Sequence, residues 1–209
     1  MIHEIFPVGR LQCNCSVVGD EATREAIVID PGDNVEGVIA VLRKHSLNVR
    51  QIVITHAHID HIGGAGKLKR LTGAPVLLNQ NDYALLKMLD VQAGWIGMRA
   101  PEKVEIDGSL ASGDKVQAGS LEGKVIHTPG HTEGSVCVYF EAEKKMIAGD
   151  TLFAHSIGRT DLPGGSYEKL IRSLHDKILA LPDDTVVIPG HGPLTTIGEE
   201  RETNPFLQK

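Results

Sequence analysis

Within six positions the chain carries three imidazoles and a carboxylate, His56-Ala57-His58-Ile59-Asp60-His61. Histidine nitrogens and carboxylate oxygens are ligands for zinc and related borderline metal ions. Three later motifs are of the same kind. Thr128-Pro129-Gly130-His131 places a histidine in a turn, Ala148-Gly149-Asp150 a carboxylate after a short apolar run, and Pro189-Gly190-His191-Gly192 a further histidine. Metal ions held by such donors lower the pKa of bound water towards about 7 and polarise carbonyl groups, so the chemistry on offer is hydrolysis. A purely structural zinc site is the competing reading. It is disfavoured because structural sites prefer cysteine and a closed four-ligand shell.

The surrounding elements place these donors. Gln51 to Thr55 reads as a buried strand running into the first motif, and a helix near Gly66 to Leu71 follows. Gly123 to His127 precedes His131, Lys145 to Gly149 precedes Asp150, and Thr185 to Ile188 precedes His191; all three read as strands. Each donor thus stands where a strand stops, and strand ends of packed sheets share an edge. Further strands are expected over Leu11 to Val18, Ala26 to Ile29, Pro75 to Leu78 and Ser135 to Phe140. Helices are expected after an Asn34 cap, from Asn81 to Leu89, and over Tyr167 to Ala180. Val91 to Pro101, with Trp95, reads as a loop or lid. The pattern predicts an α/β protein with two layers of sheet and helices outside.

Stereochemistry divides the seven donors. His56 and His58, two apart in extended chain, share a face. Asp60 and His61 share one only if the chain turns there, which Gly63 and Gly64 permit. Two pairs facing different ways suit two metals. If Asp150 bridges, one metal takes His56, His58, His131 and Asp150, and the other takes Asp60, His61, His191 and Asp150. Two ions about 3.5–4 Å apart sharing a carboxylate is a recurrent hydrolase geometry. Zinc suits the set best, and iron or manganese is compatible with it.

Composition bounds the rest. The 209 residues predict one domain, and 41% hydrophobic and 23% charged residues are ordinary for a soluble protein. No apolar run is long enough to span a membrane. A formal charge of −6 argues against a nucleic-acid partner. No signal peptide is apparent, and three cysteines, with Cys13 and Cys15 too close to pair, predict reduced thiols and a cytoplasmic location. A small-molecule substrate and a monomer or small homo-oligomer are expected. Of the ten histidines, His127 and His155 are expected to be structural or solvent-facing, and His3, His45 and His175 to lie on the surface.

The first motif followed in order by His131, Asp150 and His191 resembles the metallo-β-lactamase superfamily over nearly the whole chain. That resemblance implies a four-layer αββα sandwich with a dinuclear site at one edge of the sheets. Ile29-Asp30-Pro31-Gly32 looks like the family's early strand-turn signature, in which Asp30 supports the ligands; a plain turn is the other reading. Gly149-Asp150-Thr151 looks like the glyoxalase II branch, which implies a metal-bridging hydroxide acting on a thioester such as S-lactoylglutathione, with Asp60 orienting it. Arg159 aligns with a substrate-binding lysine of that branch and would bind substrate there; a structural pair with Asp161 is its alternative. With eighteen residues after His191, no C-terminal helical glutathione-binding domain is expected. Cys137 falls inside a strand rather than at its end, which argues against antibiotic hydrolysis by cysteine-ligated enzymes. A mononuclear iron glutathione persulfide dioxygenase, using His56, His131 and Asp150, is the rival enzyme class, and a non-catalytic metal-binding module the other alternative.

Overall fold

The computed structural model describes residues 1–208. The chain begins with a hairpin, β1 (Ile2–Val8) and β2 (Cys13–Gly19), then β3 (Glu25–Ile29), α1 (Val35–Lys44) and β4 (Asn48–Val53). The ligand motif leads into α2 (Ile59–Ile62), α3 (Ala65–Thr72) and β5 (Val76–Leu78). After a 3-10 turn at Gln80–Asp82 come α4 (Tyr83–Leu86), α5 (Leu89–Trp95) and β6 (Gly108–Ser109). The second half holds β7 (Lys115–Ala118), β8 (Leu121–His127), β9 (Val136–Phe140), β10 (Lys145–Gly149), β11 (Leu152–Phe153) and β12 (Ser156–Ile157). It closes with α6 (Tyr167–Ser173), a π-type turn at Leu174–Ile178, β13 (Val186–Pro189), β14 (Thr195–Thr196) and α7 (Ile197–Thr203).

Two six-stranded mixed sheets result, ordered β1-β2-β3-β4-β5-β6 and β14-β13-β10-β9-β8-β7. Their central strands are apolar on both faces, as a sheet buried on both sides requires. In β3, Ile27 and Ile29 face the second sheet and pack with Val125, Val138, Phe140 and Ile147. Ala26 and Val28 face the other way, towards Val38 and Leu42 of α1 and Leu68 of α3. In the second sheet Cys137, Met146 and Val187 face Leu170, Leu174, Ile178 and Ile197 of the C-terminal helices. Three separate apolar interfaces therefore hold four layers together, helices, sheet, sheet, helices, as the αββα expectation requires.

Strand direction puts the motifs on one edge. β3, β4 and β5 run parallel. β10 and β13 also run parallel, and β8 shares their direction because both β8 and β10 pair antiparallel with β9. The chain thus leaves β3, β4, β8, β10 and β13 at corresponding ends, one to four residues before Asp30, His56, His131, Asp150 and His191 respectively.

Some local expectations are corrected. A strand over Ile2–Val8 escapes pattern reading because its residues are mostly half-buried rather than alternating. The cap of the middle helical segment is Asn79, whose Oδ1 accepts from Asn81 N–H, not Asn81 itself. The stretch ending at Trp95 is helical, not a lid loop, because Leu89 and Ala93, four apart, bury one face. The Tyr167 helix loses its regular turn after Ser173. Asn34 does cap α1, accepting from Gly37 N–H.

Nor are His3 and His45 simple surface residues. His45 pairs with Glu4 at 2.6 Å. His3 is largely enclosed, its Nε2 lies 3.2 Å from Ser16 Oγ, and its Nδ1 has no partner among the described residues. Burial, aided by Lys145, holds its pKa down to about 4. A folded-state pKa below the unfolded value means the native state binds fewer protons in acid, so this contribution to stability is complete above about pH 6.5 and fades as pH falls towards 4. Replacing His3 with glutamine is expected to flatten the stability profile between pH 6.5 and 4, measured by urea denaturation at a series of pH values. An unchanged slope would refute the assignment.

Candidate metal centre

The first motif splits because its backbone changes conformation inside it. His58 is extended (φ −78°, ψ 146°) and precedes α2, whose first turn carries Asp60 and His61. His56 and His58 therefore lie along extended chain while Asp60 and His61 project from a helical turn. Gly63 and Gly64 have ordinary right-handed torsions, so they do not supply the turn. Small size is what they contribute: a Cβ on Gly64 would stand 2.1 Å from the carbonyl oxygen of Pro31, and one on Gly32 would stand 1.7 Å from that of Asp60. The Pro31-Gly32 turn packs directly beneath the ligand helix.

All seven candidate donors converge. His56 Nε2, His58 Nδ1 and His131 Nε2 form one cluster with separations of 3.0, 3.2 and 2.9 Å. Asp60 Oδ2, His61 Nε2 and His191 Nε2 form another, with Asp60 3.1 Å from His191 and 3.8 Å from His61. Asp150 lies between them. Its Oδ2 is 3.6 Å from His131 Nε2, and its Oδ1 is 3.3 Å from His61 Nε2 and 3.8 Å from His191 Nε2. Two donors each about 2.0–2.2 Å from one ion stand about 2.9–3.5 Å apart. The histidine cluster falls inside that span and the second cluster straddles it.

Hydrogen bonds behind the ligands set which nitrogens face inward. Asp30, at 1% exposure, accepts from Thr55 N–H (2.8 Å) and Thr55 Oγ1–H (2.6 Å), and from His61 Nδ1–H (2.9 Å). Having donated to Asp30, Thr55 Oγ1 accepts from His56 Nδ1–H at 3.1 Å. His131 Nδ1–H donates to the Arg159 carbonyl at 2.7 Å. Each of these rings is thereby fixed with the Nε2 lone pair inward, the arrangement a metal ligand needs. Asp30 supports the ligands and is not merely part of a turn. Its backbone is left-handed (φ 53°), a conformation Asp tolerates better than most residues.

The electrostatics ask for a cation. His61 Nε2 and Asp150 Oδ1 are buried without a hydrogen-bond partner among the described residues. Burial and the neighbouring imidazoles push His56 down, and lower His58 to about 3, so both keep free lone pairs. Burial also works against charging His61, but Cys13 and the carboxylates of Asp150, Asp60 and Asp30 outweigh it and raise its pKa. Buried orphans, inward lone pairs and two donor clusters sharing a carboxylate all fit bound divalent ions.

A cleft of about 450 Å³ opens on this centre, lined by His58, Asp60, His131, Asp150 and His191. Its other walls are Leu11, Ile59, Gln92, Trp95, Ile96, Arg159 and Leu162. Arg159 both lines the cleft and makes a two-pronged pair with Asp161, at 2.8 Å on each prong. The three cysteines stand away from the donor cluster: Cys15 and Cys137 lie in the core, and Cys13 Sγ is 3.5 Å from His61 Nδ1, behind the ring. His127 Nε2 bonds the Glu133 carbonyl, and His155 packs at the surface against Thr203. Sequence reading missed Asn14, Thr55, Asp82 and Gln92, which hold the ligand loops. Of these only Thr55 carried a signal, a polar residue at the end of a buried strand that runs into the first motif.

Asparagine at position 30 would present an amide N–H₂ to Thr55 or to His61 Nδ1–H, where an acceptor is needed. Asp30→Asn is expected to weaken metal binding by about 10–100-fold, read by chelator competition; wild-type affinity would refute the role.

Comparison with known proteins places this centre. The sequence model of the metallo-beta-lactamase superfamily matches residues 8–191. The hydroxyacylglutathione hydrolase GloC of Haemophilus influenzae is 39% identical over 98% of this chain and 97% of its own. Among solved structures, the BLEG-1 B3 metallo-beta-lactamase superposes with a TM-score of 0.92 at 38% identity, covering all of both chains. TTHA1623 in a di-iron-bound form gives 0.87 at 38% identity, covering 96% of this chain and 98% of that one. ETHE1 from Myxococcus xanthus gives 0.83 at 30% identity, covering 98% and 84%. The chain belongs to the metallo-beta-lactamase superfamily.

Proposed function

We propose that the protein is a two-metal hydrolase of thioesters or related esters, close in chemistry to hydroxyacylglutathione hydrolase. The observation that carries this reading is the position of Asp150, with one oxygen towards the three-histidine cluster and the other towards Asp60, His61 and His191. Zinc, iron or manganese would suit the donors, and the likeness to a di-iron protein supports a pair of ions. When bound, such ions supply a water that is nucleophilic near neutral pH and an electrophile for the substrate carbonyl.

The chain's own residues do the rest. Burial would raise the pKa of Asp60, but His61 and His191 outweigh it and keep the carboxylate ionised. Asp60 borders the cleft, where the carboxylate oxygen not turned towards His61 and His191 would orient the attacking water or take its proton. Leu11, Trp95, Ile96 and Leu162 exclude water from the flank of the substrate. Arg159 stands at the same cleft for a polar or anionic portion. A thiolate leaves without much acid assistance, which accords with a cleft lined by no dedicated proton donor. A small-molecule substrate and a cytoplasmic setting belong to the same proposal. No helix among the described residues is long and apolar enough to cross a membrane.

Two neighbours favour different chemistry. The likeness to ETHE1 fits the mononuclear iron persulfide dioxygenase alternative. BLEG-1 bears the name of a B3 metallo-beta-lactamase, so the lack of a cysteine facing the metal side is not by itself evidence against β-lactam turnover. Metal analysis combined with four substrates separates these readings: S-lactoylglutathione, a lactone, a cephalosporin and glutathione persulfide. Two divalent ions per chain and thioester hydrolysis are expected. Asp60→Asn should lower kcat by about 10²–10⁴-fold, with metal content measured alongside. One iron per chain with oxygen consumption on the persulfide would overturn the hydrolase reading.

A further inference from the structure

The donors come from two sheets that meet through apolar side chains. Such contacts are strong but non-directional, so they do not by themselves hold ligands from opposite sheets in register. Two polar side chains cross between the sheets at this edge, and each reaches a different ligand loop.

Asp82 lies just beyond β5 of the first sheet and is 1% exposed. Its Oδ2 accepts from Ala57 N–H at 2.9 Å, between His56 and His58, and from Thr132 Oγ1–H at 2.9 Å, beside His131. Its Oδ1 accepts from Gly134 N–H at 2.7 Å. One carboxylate therefore joins the His56/His58 loop to the His131 loop. Gln92 completes the grip on the first loop, accepting from Ile59 N–H at 2.9 Å and donating to the Ala57 carbonyl at 3.1 Å.

Asn14, on β2 of the same sheet, does the corresponding work at the other cluster. Its Nδ2 donates to the carbonyls of Pro189 and Gly192, both at 3.0 Å, and its backbone N–H to that of Gly190 at 2.7 Å. These bonds clasp the His191 turn from either side. The turn has no slack, since a Cβ on Gly190 would stand 2.1 Å from Asp150 Oδ1.

We propose that Asp82 and Asn14 are positioning residues that each govern one metal subsite: Asp82 the three-histidine subsite, Asn14 the Asp60/His61/His191 subsite. This rests on the two-ion reading. Ala57, Thr132 and Gly134 all flank ligands of the first cluster, whereas every Asn14 partner flanks His191. The two side chains share no partner, so their effects are separable.

The test uses cadmium-113 as the probe, with NMR resonances of the wild-type protein assigned by their loss in His58→Ala and His191→Ala. Asp82→Asn should weaken the ion assigned to the three-histidine subsite at least tenfold in chelator competition and leave the other within about twofold. Asn14→Ala should do the reverse. Thr132→Val, which removes one of the three bonds to the Asp82 carboxylate together with the Thr132–Ser135 hydroxyl contact, should reproduce the Asp82 pattern in weaker form even if Asp82→Asn proves poorly folded. Thermal unfolding of the metal-free variants separates a general loss of fold from loss of one site. Fewer than two cadmium ions on the wild type would overturn the two-ion reading. Two ions on the wild type, with both weakened alike or neither affected in the variants, would overturn the assignment of Asp82 and Asn14.

Discussion

Electron pairs facing one another across a buried space are the constraint around which this molecule is arranged. His56 and His131 point Nε2 at each other across 3.2 Å, and both have already spent their Nδ1 protons on outward bonds. His58 turns its Nδ1 to the same two nitrogens at 3.0 and 2.9 Å, and burial beside His131 and His61 lowers its pKa to about 3, so it brings no positive charge. Opposite stand Asp60 and Asp150, two carboxylates around the buried His61. Acceptors and anions packed this closely repel unless a cation lies between them, and desolvation magnifies the repulsion. Without a cation the site is a local debt against the fold, carried by the three apolar interfaces that surround it. Functional sites commonly store strain or unfavourable charge in this way.

Strand direction delivers the donors to one place; side-chain bonds aim them. The β3–β4 and β8–β10–β13 strands bring five strand ends to one edge, but a strand end defines position only to within a residue or so. Asp30 narrows this by orienting His61 directly and His56 through Thr55. Backbone bonds from Val136 N–H to the Thr55 carbonyl and from Asn14 N–H to the Gly190 carbonyl tie the two sheets at the same edge. The glycines at 32 and 190 matter for the opposite reason, because any side chain there would occupy space the ligand groups need.

How much of this could be read in the amino-acid order depended on whether the signal was local. The converging donors were legible because histidine and aspartate at strand ends have few other uses, and the buried strands because their apolar runs are continuous. The helical ending at Trp95 was obscured by Gly94 and Gly97, which weaken a helical pattern without preventing it. β1 was obscured because a half-buried edge strand need not alternate. Asp82 and Asn14 were hidden for a deeper reason. Their partners lie up to 178 positions away, and an isolated asparagine or aspartate looks the same in a turn, at a cap or in a bond between sheets. Asp30 stood between these cases: its motif was visible, and only its three accepted bonds distinguish a support from a turn.

On the proposed function, one position, Arg159, would serve the metal donors and the substrate separately. Its carbonyl oxygen holds the His131 ring, a bond any residue type can make. Its guanidinium stands at the cleft, engaged with Asp161 while both side chains remain more than half exposed. An exposed pair of this kind contributes little stability, of order 0–1 kcal/mol, so a substrate carboxylate could replace Asp161 at small cost. Ligand orientation is thus assigned to the backbone and recognition to the side chain. The loop can change what the cleft accepts while the metal-facing imidazole stays where it is. The same division holds across the cleft, where Gln92 grips the ligand loop through main-chain groups and Trp95, one turn further along the helix, faces the substrate space. A scaffold that separates the two tasks in this way allows the cleft wall to change without moving the metal-facing groups.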